Sequence, residues 1–532
     1  MKDPSFYPIM PRAALPKGGP EEVGNKAWNL MRMAAAGISI PPAFVLPTSW
    51  CHRYRAGHMD KAALTEALAS GIVVLETATG LSFGCSRRPL LVSVRSGASV
   101  SMPGMMETVL DVGLNAATAD GLIRLTGNPR LAWDSYRRLV QGYAEVVLEQ
   151  PTTPLDQLVT EAVSQAEVET ERELDFRTLR QLTRDMLERI DQLSATRFPE
   201  DPYEQLAQAV TAVFRSWDAP KAASYRRLNG IDDTAGTAVT VQAMVFGNAG
   251  GASGSGIGFT RNPATGEREL YLDFQFNAQG EDVVDGRHLT HDHERLRRMF
   301  PAVWKQLESI GHAMEALFRD AQDFEFTLES GTLYVLQSRN AKRTPWAALR
   351  VATELVEEGL ITPAEALSRL GSIDLARVVR TRLANIPGPP LARAQVASIG
   401  VASGAIAFDT EGAKRLAAAG TPVILVRRET VTSDIEGMAA AAGILTASGG
   451  RTSHAAVVAR QLGKVCLVAC TGLVMDFDRR LCRIGERTLH EGEFLSLDAN
   501  DGGIYAGQLE TITERPEREL AAIRAWQPAM HA

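Results

Sequence analysis

QDFEFTLESGTLYVLQSRN, residues 322–340, alternates charge with apolar bulk on either side of a Ser-Gly turn. In a strand, successive side chains take opposite faces, so Asp323 and Glu325 share one face and Phe324, Phe326 and Leu328 the other. The stretch predicts a β-hairpin whose register depends on its loop. A three-residue loop, Glu329-Ser330-Gly331 with Gly331 left-handed, pairs Leu328 with Thr332 and sets Gln337 opposite Asp323. One face then carries Asp323, Glu325, Gln337 and Arg339. A two-residue loop would turn Gln337 and Arg339 onto the apolar face. Two carboxylates beside a cation suit Mg²⁺ bridging polyphosphate oxygens; the pattern suits the solvated face of an edge hairpin as well.

Upstream, VSVRSGAS ends an apolar strand on Arg95, placed to meet phosphate bidentately or to lie on the surface. Lys26, in GNKAWN at a helix start, has the same two readings. SMPGMM supplies either a lid or, through Met102, Met105 and Met106, core filling. GGASGSG can present backbone amides to phosphate or form a loose hairpin tip. The Pro pair in ISIPPAFVLPTSW restricts any strand there to an edge or a turn. No GxxxxGK[ST] occurs and no GxGxxG follows a strand, so neither a P-loop nor a Rossmann site is supported. Charged residues projecting from strands under Gly-rich loops are the remaining way to grip a nucleotide.

Downstream, NIPGPPLARAQ (385–395) reads as an interdomain linker, because Pro/Gly/Pro/Pro fits neither helix nor central strand. GGRTSHAAVVARQLG (449–463) then places His454 behind two capping residues, Thr452 and Ser453, at the first turn of a helix. The positive helix end keeps an imidazole neutral and nucleophilic, and it offers N–H groups to an anion formed on the ring. That suits a histidine that becomes phosphorylated; a buried cap histidine would look similar.

The chain has 532 residues, 45% apolar and 22% charged, with net charge −7. Three or so domains are expected at that length. No basic run suggests nucleic acid, no segment approaches the ~18 uninterrupted apolar residues of a membrane span, and the N-terminus lacks a signal-peptide pattern. The five cysteines show no metal spacing. These features predict a reduced, cytoplasmic enzyme without structural zinc.

Six stretches then join in one order. GGRTSHAAVVARQLGKVCLVAC resembles the phosphohistidine signature of the phosphoenolpyruvate-utilising enzymes. LLVSVRSGASVSMPGMMETVLDVGLN, AWDSYRRLVQGY, VQAMVFGNAGGASGSGIGFTRNPATGE, NAQGEDVV and QDFEFTLESGTLYVLQSRNAKRT resemble the pyruvate, phosphate dikinase family. The resemblance runs from about residue 20 to 510, and it favours the phosphate-using dikinases over the water-using phosphoenolpyruvate synthases.

The resemblance implies a multidomain α/β and α+β protein. An ATP-grasp nucleotide-binding domain would occupy 1–340, with 116–230 a largely helical insertion. A helical linker and hinge would follow at 341–395, a swivelling β/β/α phosphohistidine domain at 396–510 and a C-terminal helix at 511–532. It implies nucleotide, phosphate or metal roles for Lys26, Arg95, Glu281, Asp323, Glu325, Gln337 and Arg339, with Mg²⁺ held by Glu325, Asp323 and Gln337. It makes Arg95 and Arg339 catalytic alongside His454, and Thr452 a regulatory position as in plant members. His454 would take a pyrophosphoryl group from ATP, inorganic phosphate would remove the outer phosphoryl, and AMP and pyrophosphate would leave.

Two departures from the family pattern, Arg451 for Met and Ala469 for Gly, look tolerable. The family's barrel for phosphoenolpyruvate or pyruvate has no counterpart in these residues. The expectation is therefore an acceptor bound by a separate polypeptide. A stand-alone phosphotransferase with a different acceptor, a nucleotide-binding regulatory protein and a homodimer remain open.

Overall fold

A computed structural model describes residues 5–526 apart from 12, 14, 101, 103–105, 195–196, 285–291, 387, 450–453 and 478. The chain forms two compact units: 1–255 with 324–339, and 256–323 with 340–532.

In the first unit a five-stranded sheet runs in the order Tyr7–Ile9, Ala43–Leu46, Ala238–Ala243, Val92–Gly97, Thr108–Val112, with every neighbouring pair antiparallel. Strand Ala43–Leu46 is buried throughout and paired on both sides, so the expected edge position is corrected. Its two prolines lie just before it, where the carbonyl of Pro42 still accepts from Ala243. Residues 116–230 are mostly helix, from Ala116–Thr126 to Pro220–Asn229, and their apolar faces join one core with the sheet. Helix Lys61–Thr79 is long and apolar enough to cross a membrane by composition, but it buries Leu64, Leu68, Ile72 and Leu75 in that core.

The hairpin, Gln322–Glu329 then Thr332–Asn340, contributes residues 324–339 to this unit. The connecting loop is two residues, not three. Ser330 and Gly331 both have positive φ, +48° and +85°, the signature of the type I′ turn whose twist matches the strands. By the register argument this should carry Gln337 to the apolar face. It does not, because the second strand contains an extra residue. Leu333 and Val335 are buried, both Leu336 and Gln337 are half-buried, and burial resumes at Ser338. At the base of the hairpin Ala341 donates to the carbonyl of Ala321, and Gln322 reaches Asn340. That pairing is one residue out of step with the two-residue turn. A β-bulge between Val335 and Ser338 absorbs the difference and restores Gln337 to the charged face.

The second unit contains an eight-stranded sheet built on four parallel neighbours: Val401–Ala407, Val423–Arg427, Gly443–Thr446 and Val465–Val468. Helices Thr410–Ala418, Ile435–Ala440 and His454–Gln461 make the crossovers that parallel pairing requires. A three-stranded antiparallel sheet, 473–490, covers part of it. Helices Pro345–Glu357, Pro363–Leu370 and Glu517–Trp526 share a separate apolar core. The tail is not helix alone, since Thr511–Glu514 is a strand pairing with Arg380–Leu383. Residues 385–395 contain no helix among their described members.

Candidate nucleotide-phosphate site and phosphohistidine helix

Helix Gly19–Ala35 is broken at Gly24, whose φ of +75° and ψ of +154° lie in a region essentially reserved for glycine. A Cβ there would stand 2.0 Å from the carbonyl oxygen of Gly97. The close approach sets the regular part of the helix against the end of strand Val92–Gly97, with the amide of Asn25 donating to Ala98. Lys26 is thereby brought beside Arg95.

Arg95 contacts Glu325 at 3.4 Å, with 18% and 22% of the two side chains exposed. The amide of Gln337 donates to the other oxygen of Glu325. Burial lowers the pKa of Lys26 to about 8, aided by Arg95 and Arg339 and opposed by Glu325. Lys26, Arg95, Glu325, Gln337 and Arg339 thus form one partly buried cluster with three cations and one carboxylate. Asp323 lies two residues before Glu325 on the same strand and is 5% exposed.

The Gly-rich loop is tied down: Gly331 donates to the carbonyl of Ala252, and Ser330 to the hydroxyl of Ser253. Met102 is buried in the core, whereas Met105 falls outside the described residues. Glu281 lies in the short helix Gly280–Val284, and its side chain falls outside what the structure describes.

His454 begins helix His454–Gln461, at the C-terminal end of parallel strand Gly443–Thr446. Ligands of open parallel sheets bind beyond such strand ends. Ala455, Ala456 and Ala459 bury the helix against the sheet. The preceding loop is held by Ser448, which donates to the carbonyl of Arg428 through both its amide and its hydroxyl. Thr452 and the proposed cap Ser453 lie outside the described residues, as does the side chain of His454.

Pattern reading passed over two residues that the geometry brings forward. Asn29, one turn beyond Lys26, donates to the backbone of Ser338. Arg261, inside GFTRNPATGE, is buried among glutamates of the second unit. The i, i+3 spacing from Lys26 is the only sequence signal for Asn29, and Arg261 sits in what reads as a turn.

Two family models match the chain. Residues 56–303 match "Pyruvate phosphate dikinase, AMP/ATP-binding domain", and residues 420–502 match "PEP-utilising enzyme, mobile domain". The chain thus combines a nucleotide-binding domain with a mobile domain of the phosphoenolpyruvate-utilising enzymes. It is 42% identical over 509 residues to pyruvate, phosphate dikinase of Clostridium symbiosum, covering 95% of this chain and 58% of that protein. The Rhizobium meliloti pyruvate, phosphate dikinase is 39% identical, with 96% and 58% covered; chloroplastic pyruvate, phosphate dikinase 1 of Zea mays is 39% identical, with 95% and 54% covered. The chain carries these two domains of the pyruvate, phosphate dikinase family and spans little more than half the length of the relatives it matches.

The Lys26 shift gives a pH dependence. Below about pH 8 the ammonium is charged and attracts phosphate, so affinity for ATP should fall as pH rises through 8 in the free protein. A bound polyanion raises the pKa again, so binding near pH 8–9 should take up protons, measurable by calorimetry in buffers of different ionisation enthalpy. The linkage for folding has the opposite sense. With the folded pKa below the unfolded value of 10.5, the ligand-free protein carries the full penalty below pH 8, and the penalty disappears as pH rises towards 10.5. Proton release on ATP binding in that window would contradict the assignment.

Proposed function

We propose that this chain charges its own His454 from ATP and inorganic phosphate, releasing AMP and pyrophosphate, as the first half of a dikinase cycle. The observation that carries this reading is the convergence of Lys26, Arg95, Gln337 and Arg339 around Glu325, in a chain matched to an AMP/ATP-binding domain.

The unprotonated imidazole nitrogen attacks the β-phosphorus of ATP. An N–P bond forms, the bond from that phosphorus to the α,β-bridging oxygen breaks, and AMP leaves. An oxygen of inorganic phosphate then attacks the terminal phosphorus. The remaining phosphoanhydride breaks, pyrophosphate leaves, and one phosphoryl stays on the histidine. Lys26, Arg95 and Arg339 offset the charge that both displacements spread over phosphate oxygens.

Among the described residues no group of three or more His, Cys, Asp or Glu forms a cation cage. That fits Mg²⁺, which takes one or two carboxylates and fills its shell with phosphate oxygens and water. Glu325 and Asp323 would hold it, with Gln337 beside them, and the ion would supply positive charge to offset that of the polyphosphate. Pyruvate, by the relatives' name, or another acceptor bound by a separate polypeptide would then discharge the histidine.

Radiolabelled AMP should enter ATP when the chain is given Mg²⁺, phosphate and pyrophosphate, with no acceptor present. A folded, ATP-binding chain that performs no exchange would sink the proposal. In Glu325→Gln, the Mg²⁺ concentration for half-maximal exchange should rise at least about tenfold. An unchanged magnesium dependence would remove Glu325 from the metal.

A further inference from the structure

The bulge that returns Gln337 to the charged face leaves its strand needing outside support. A bulge disrupts the ladder locally and bends the strand that contains it. Two bonds hold the backbone of this stretch from elsewhere in the first unit. The amide of Val335 donates to the carbonyl of Ser39, and Nδ2 of Asn29 donates to the carbonyl of Ser338 at 3.0 Å. They bracket the irregular segment. The second is the more telling, because Ser338 lies between Gln337 and Arg339, and Asn29 lies one helical turn beyond Lys26. Residues three apart on a helix are neighbours on its surface. One helix face therefore supplies a phosphate-seeking cation and a hook for the strand that carries two more site residues.

We propose that Asn29 is a positioning residue of the nucleotide-phosphate site: it holds the bulged strand at Ser338, so that Gln337 and Arg339 face the same anion as Lys26. The inference rests on the functional reading above. Asn29 touches no substrate in this account. It acts through Ser338, and its effect is carried by Arg339 and Gln337. The hydrogen bond demands a donor. Asn29→Asp keeps the shape and sets a carboxylate against a carbonyl; Asn29→Ala removes the side chain.

The test is a double-mutant cycle on MgATP affinity, measured by calorimetry on the whole chain. A lost hydrogen bond of ordinary strength corresponds to roughly a tenfold effect. Asn29→Asp and Asn29→Ala should each weaken MgATP by about that factor. In an Arg339→Ala background the same changes should cost less than about twofold, because residues acting through one another are not additive. A general packing defect would be additive and would lower the melting temperature in step with affinity. Asn29→Gln, which keeps the amide donor on a longer arm, should recover part of the loss that Asn29→Asp does not. Unchanged affinity in both single variants, or full additivity with Arg339→Ala, overturns the inference. Failure of the unmodified chain to bind MgATP overturns the functional reading itself, and this inference with it.

Discussion

Given ATP, Mg²⁺ and inorganic phosphate, the purified chain should acquire one phosphoryl group on His454 and release AMP and pyrophosphate in about one turnover. A covalent intermediate without an acceptor accumulates as a stoichiometric burst. The label should be lost in acid, since a phosphorus–nitrogen bond hydrolyses once its nitrogen is protonated, and it should survive alkali. In His454→Ala both label and burst should vanish, while MgATP binding persists, because Lys26, Arg95 and Glu325 lie in the other unit. The placement of the histidine motivates the expectation. It opens a helix, where unpaired N–H groups and the positive dipole end favour an anion, and it follows a buried parallel strand. Label retained in His454→Ala, or none in the unmodified chain under conditions where ATP binds, would end the dikinase reading.

The same residues show how far pattern could reach. Alternation in 322–340 announced a hairpin with Asp323 and Glu325 on one face, and those two positions need only the period of a strand. The partners across the turn were harder. The Ser-Gly turn closes with two residues, and the bulge that repairs the register is supported by Asn29 and Ser39, some 300 residues earlier in the chain. No local rule contains such a contact. The expected grouping of Glu325 with Gln337 therefore holds in the structure through a different loop and an added residue. Spacing alone favoured the surface reading of both Lys26 and Arg95, and the resemblance joined them. The contact of Gly24 with the backbone of Gly97 shows why they meet physically, because only a glycine at position 24 lets that helix approach that strand. The helical stretch 116–230 was part of what the resemblance implied, and it is mostly helix. The division of compact units was not legible, since it follows contacts between segments far apart in sequence.

Removing Arg261 should cost the second unit about 3–5 kcal/mol of stability, the usual penalty for leaving buried charge without its partner. The guanidinium is 1% exposed and serves three carboxylates. It binds Glu315 through Nε at 2.9 Å and Nη2 at 3.1 Å, Glu354 through Nη1 at 2.5 Å, and Glu358 through Nη2 at 3.0 Å. Glu315 is 3% exposed and pairs with no other cation among the described residues, whereas Glu354 and Glu358 keep Arg350 and Arg268. Arg261→Ala therefore strands Glu315 above all. Arg261→Lys should recover only part of the loss, because an ammonium cannot reproduce the fork that meets both oxygens of Glu315. Arg261→Met with Glu315→Gln should be markedly more stable than either Arg261 variant, since the stranded charge is gone. Urea unfolding, followed through the transition of the second unit, reads each of these. The network has one further member: Glu315 also accepts from the hydroxyl of Thr260, and that hydroxyl accepts from the amide of Gln322. A loss below about 1 kcal/mol in Arg261→Ala, or a double variant no better than the single, would show that the glutamates are held by something other than this arginine.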